Sequence, residues 1–78
     1  MEYDTDNADE ATLALLYLNV FEDRWGARAW KSMPWEAMDR LHEKGLIGDP
    51  KSKAKSVVLT EEGLIAAKEA YRKLFASP

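Results

Sequence analysis

The chain contains no cysteine and a single histidine, His42. It can therefore build neither a disulfide framework nor a Cys/His zinc cluster. One histidine also falls short of the two-histidine helical zinc motif, and the four glycines (Gly26, Gly45, Gly48, Gly63) stand apart rather than forming a phosphate-cradling loop. Ser56 and Thr60 read as a strand and a cap residue, with no general base and orienting group to activate either hydroxyl. The expectation is a non-enzymatic protein with no metal and no cofactor. Long apolar runs are missing as well. The longest, Leu13 to Leu18, is much shorter than the roughly 20 residues a membrane span requires. The first ten residues carry Glu2, Asp4, Asp6, Asp9 and Glu10 but no Lys or Arg, the reverse of a secretory signal's positive start. A cytoplasmic protein without a membrane segment is expected.

What is present fits one small domain spanning residues 1–78. Chains this short seldom stabilise themselves by more than about 3–5 kcal/mol without a staple, close helix packing or oligomerisation. Hydrophobic residues nevertheless make up 46% of the sequence, and Trp25, Trp30 and Trp35 bring more contact area than a small core readily encloses. Self-association answers both problems. The net charge of −3 is unevenly placed: beyond the five N-terminal acids, eleven Lys and Arg face nine acids, so residues 11–78 are net positive. An acidic head of this kind suits a helix start, where the dipole favours carboxylates.

Residues 8–22 read as a first helix, with Asn7 as N-cap and Glu10 completing a capping box. Its apolar residues fall into two nearly opposite stripes, Ala11, Ala14, Leu15 and Leu18 on one side and Leu13, Leu16, Tyr17 and Val20 on the other; Thr12, Asn19 and Asp23 supply the polar edge. A helix apolar nearly all round needs cover on both sides. The second stripe, continued by Trp25, is the expected dimer seam. Past Gly26, the stretch Arg28 to Lys31 suits an edge strand. A second helix runs from Pro34 to Lys44 and stops at Gly45, with an i,i+4 pair of Glu36 and Arg40 and with His42 near its apolar edge. His42 lies three residues from Asp39 and next to Glu43, and a bond to a neighbouring carboxylate or to solvent is expected for it. Leu46-Ile47, the turn residues Gly48-Asp49-Pro50 and the run Ser56 to Leu59 predict a β-hairpin, whose Lys51, Lys53 and Lys55 would share one side if extended. Thr60 caps a final helix with Leu64, Ala67, Ala70, Tyr71, Leu74 and Phe75 on its apolar face.

The segment Leu41 to Gly63, LHEKGLIGDPKSKAKSVVLTEEG, resembles the second half of a winged-helix domain of the multiple-antibiotic-resistance-regulator type. There a recognition helix ends in Leu-x-x-Lys-Gly-Leu-Ile, a hairpin wing follows, and Leu-Thr-x-x-Gly opens the last helix. The whole chain, with MEYDTD, LALLYL, RAWK and DRLHEKGLI, is similar to a family of small bacterial proteins described only as a domain of unknown function. The resemblance implies an α+β fold, mostly helical: a truncated winged-helix-like domain with three main helices and one hairpin. About eleven residues between the first helix and Pro34 leave no room for the helix that normally braces the recognition helix. Residues 34–44 would take the recognition slot, yet they present Glu36, Asp39 and Glu43 against Arg40 and Lys44, a poor complement to phosphate. The expected function is a self-associating interaction module, a homodimer with an unknown protein partner. The alternative is a small DNA-binding, transcription-associated protein that contacts phosphates through Lys51, Lys53 and Lys55.

Overall fold

A computed structural model describes residues 3–24 and 26–76. Trp25, assigned to the seam from sequence, lies outside the described residues. The chain forms a three-helix, three-stranded α+β fold in the order α1 (Thr5–Leu18), β1 (Phe21–Asp23), β2 (Gly26–Trp30), α2 (Trp35–Glu43), β3 (Ser56–Val58), α3 (Glu61–Leu74). The strands form one antiparallel sheet, β1-β2-β3, and the helices hold about half of the described residues.

Helix α1 begins earlier and ends sooner than its periodicity predicts. The Asp4 carboxylate accepts the N–H groups of Asp6 and Asn7 at 2.9 and 3.1 Å, so the cap is Asp4 and Asn7 lies inside the helix. Glu10, expected to close a capping box, instead meets Lys73 on α3 at 3.3 Å. The helix stops at Leu18 because Phe21–Asp23 is drawn into the sheet. There Phe21 pairs with Arg28, and its ring packs on Trp30 at 5.2 Å. Pairing across the sheet outweighs local helix propensity over these residues.

The strand containing Arg28 to Trp30 is the central strand, not an edge. It pairs with β1 through Phe21↔Arg28 and with β3 through Arg28↔Val58, Ala29↔Val57 and Trp30↔Ser56. Paired residues point to the same side of a sheet. Ala27, Ala29, Val57 and Leu59 therefore face the helices and are buried, while Phe21, Arg28, Trp30, Ser56 and Val58 form the opposite face. Helix α2 follows Pro34, as expected, and ends in a full Schellman motif. Gly45, at φ +76°, donates to His42 O, and Leu46 N–H returns to Leu41 O at 3.0 Å.

The expected hairpin is reduced to the bridge Ile47↔Leu59 and a Gly48 N–H to Val58 O bond of 2.8 Å. Residues 51–55 are turns and bends, so the three lysines do not alternate along a strand. Asp49 sets this path: its side chain accepts Lys51 N–H at 2.9 Å and its carbonyl accepts Ser52 N–H. Pro50 beside it is fully buried. The α+β class stands; the winged-helix resemblance is not confirmed.

The core joins Leu16 of α1, Met38 and Leu41 of α2, and Ile47 and Val57 of the sheet region. Ala14, Ala67 and Ala70 line the α1–α3 contact, and their small side chains let the two helices approach closely. Thr60 begins α3 as expected, accepting Gly63 N–H at 2.9 Å while its hydroxyl faces Gly45 O and Leu46 O.

Candidate interaction surface

The first helix is covered from within its own chain. Leu13 and Leu16, two of the five residues of the predicted seam, are buried against the protomer's core, and Tyr17 and Val20 pack at its margin. The two-stripe reading missed that α3 supplies the cover a second copy was expected to provide. What α1 leaves exposed belongs to the other stripe, Leu15 at 39% and Leu18 at 58%. The predicted polar edge is also occupied. Thr12 is buried and donates back to Ala8 O at 2.8 Å, and Asn19 accepts Trp30 N–H at 3.3 Å.

Sequence reasoning did not find the strongest electrostatic feature. Asp9, buried at 3%, receives Arg40 Nε at 2.8 Å and Lys44 Nζ at 2.9 Å, an i,i+4 pair of cations on α2 and its C-cap closing on one carboxylate of α1. The hydrogen bond to Asp9 raises the pKa of each cation, against some desolvation that lowers it. Arg40 thus engages Asp9 rather than Glu36, which accepts a 3.5 Å bond from Tyr3. One Arg40 nitrogen, Nη2, is buried without a hydrogen-bond partner. The two bases of the expected recognition face are consequently engaged internally, while Glu36 and Glu43 stay exposed. His42 donates its Nδ1–H to Ile47 O at 3.1 Å, so its partner is a backbone carbonyl rather than a carboxylate.

Lys51, Lys53 and Lys55 are all exposed. They are joined by Lys31, whose Nζ donates to Ser52 O at 2.7 Å and whose N–H donates to Lys55 O at 3.0 Å. Among the described residues there is no pocket and no group of three or more His, Cys, Asp or Glu that could hold a metal ion. No described helix is long and apolar enough to cross a membrane.

The family Domain of unknown function (DUF6429) matches residues 4–77. The chain belongs to the DUF6429 family. It is 52% identical over 75 residues to the uncharacterized protein y4hR of Sinorhizobium fredii (strain NBRC 101917 / NGR234), covering 96% of this chain and 97% of that protein. No solved structure matches.

Two surfaces of this DUF6429 domain carry half-buried aromatic rings with an exposed ring beside them. On the helical side Tyr17 of α1 stacks near Tyr71 of α3 at 5.2 Å, and Tyr71 meets Phe75 edge-on at 6.1 Å. Leu74 and Phe75 at the end of this string are 44% and 45% exposed. On the sheet side Trp30 is 51% exposed, with Phe21 against it. Trp35 is 60% exposed at the start of α2, so neither described tryptophan fills the core.

Proposed function

We propose that this domain is a non-enzymatic interaction module that pairs with a second copy of itself through the helical surface of Tyr17, Tyr71, Leu74 and Phe75. The observation that carries this reading is the string of rings on the helical side, Tyr17 against Tyr71 at 5.2 Å and Tyr71 against Phe75 at 6.1 Å, which ends in Leu74 and Phe75 at 44% and 45% exposure. Tyr and Phe are among the residue types enriched at the centre of protein interfaces. A two-fold pairing would set each aromatic string against its own copy.

Light scattering coupled to size exclusion tests this directly. Wild type at micromolar concentration elutes with twice the mass of the chain, whereas Leu74→Glu and Phe75→Glu, both at exposed positions, elute as folded monomers. A wild-type monomer mass, or variants that stay paired, overturns the assignment. The alternative, duplex DNA held by Lys51, Lys53 and Lys55, draws on three exposed ammonium groups joined by Lys31. It lacks a basic helix face, since Arg40 and Lys44 are held by Asp9.

A further inference from the structure

The sheet is covered by helices on one side only. Its open face presents Phe21, Arg28, Trp30 and Val58 in adjoining positions, fixed by the pairings Phe21↔Arg28 and Arg28↔Val58. The Phe21 and Trp30 rings lie 5.2 Å apart with a 37° tilt, and the indole is half exposed. Arg28 lies across β3 rather than projecting freely. Its Nε donates to Ser56 Oγ at 2.8 Å and its Nη2 to Ser56 O at 3.0 Å, which uses two of the five guanidinium donors.

The lysine loop borders this face. Trp30 is the last residue of β2, and Lys31 directly after it is tied to the loop through Ser52 and Lys55. Four lysines, Lys31, Lys51, Lys53 and Lys55, therefore gather at the end of the sheet where the indole stands. The nearest acid of the loop, Asp49, is engaged by the Lys51 N–H; Asp23 sits at the far end of β1.

We infer that this face binds single-stranded nucleic acid, with unpaired bases stacking on Trp30 and Phe21, Arg28 beside them, and the backbone phosphates against the lysine loop. Aromatic faces accept a base of any identity only when that base is free of a duplex. Lysines contribute phosphate attraction without sequence preference. The combination of ring and ammonium groups selects single strands over a duplex, whose bases are already stacked, and over a purely apolar protein surface. The inference does not rest on self-association, which uses the helical surface.

The test is fluorescence anisotropy of a labelled oligouridylate and oligothymidylate of about a dozen nucleotides, within the usual site size of such platforms, alongside a duplex of equal length. The expected result is binding of both single strands and at least tenfold weaker binding of the duplex. Three phosphate contacts on a single strand imply that affinity falls about twentyfold between roughly 50 and 200 mM salt. Trp30→Ala weakens single-strand binding at least about fivefold, and Trp30→Phe restores most of it. Lys51→Glu, Lys53→Glu and Lys55→Glu together abolish it. Circular dichroism verifies that the variants are folded, and light scattering reads pairing independently. No binding of single strands at low salt, equal affinity for the duplex, or indifference to Trp30→Ala overturns the inference.

Discussion

The Asp9 carboxylate offers the sharpest stability prediction. Its side chain is only 4% exposed and accepts from two cations, at 2.8 and 2.9 Å. Asp9→Asn keeps the shape but withdraws the charge, leaving Arg40 and Lys44 facing a neutral amide. Removing one member of a buried ion pair typically costs about 3–5 kcal/mol. Here Lys44 is 46% exposed and regains water, which reduces the cost of losing that contact. The expected loss is about 2–3 kcal/mol. For a domain of this size that lowers Tm by more than about 10 °C, and it takes away most of the stability a chain this small ordinarily has. Asp6 is the internal control. It lies 3.8 Å from Lys44 but is 90% exposed, so Asp6→Asn changes stability by less than about 0.5 kcal/mol. Urea denaturation followed by circular dichroism measures both. An Asp9→Asn variant within about 0.5 kcal/mol of wild type would refute the argument that this carboxylate locks α1 to α2.

Other consequences concern backbone and pH. Gly63→Ala, which in an ordinary helix gains about 1 kcal/mol, is expected to destabilise by about 2 kcal/mol or more, because a Cβ there overlaps the Leu46 carbonyl; a thermal melt decides the sign. Thr60→Ala loses the α3 cap and costs about 1–2 kcal/mol, while Thr60→Ser retains it, as denaturant midpoints will show. The Lys44 pKa is raised above 10.5, chiefly by the hydrogen bond to Asp9. Its contribution is complete below the unfolded value and is lost as pH rises through the higher folded value. Stability should therefore fall above pH 10.5, and Lys44→Met should show a shallower fall in an alkaline titration.

Local signals that depend on a few neighbouring residues were legible in the sequence. Gly45 as a helix stop, Thr60 as a cap and the apolar spacing of Ala67 and Ala70 all appear in the structure. Features set by distant pairing were not. Phe21–Asp23 continues a helical pattern by composition, yet it becomes a strand because β2 offers a partner and Trp30 a ring. Asp9 looked like one more acid in a solvated head, since nothing local reveals that Arg40 and Lys44 close upon it. The second stripe of α1 needs cover, but periodicity does not say whether α3 or another molecule provides it. The lysine segment, expected as the tip of an extended hairpin, is a bent loop instead; its path follows from Asp49 and buried Pro50, which strand propensity does not reveal.

Self-association through the aromatic string is the central claim, and sedimentation equilibrium over a concentration series tests it most directly. The account predicts a mass rising from one chain to two across the micromolar range, with the rise lost in Phe75→Glu while its circular dichroism spectrum stays that of the wild type. A single-chain mass throughout the series would contradict it.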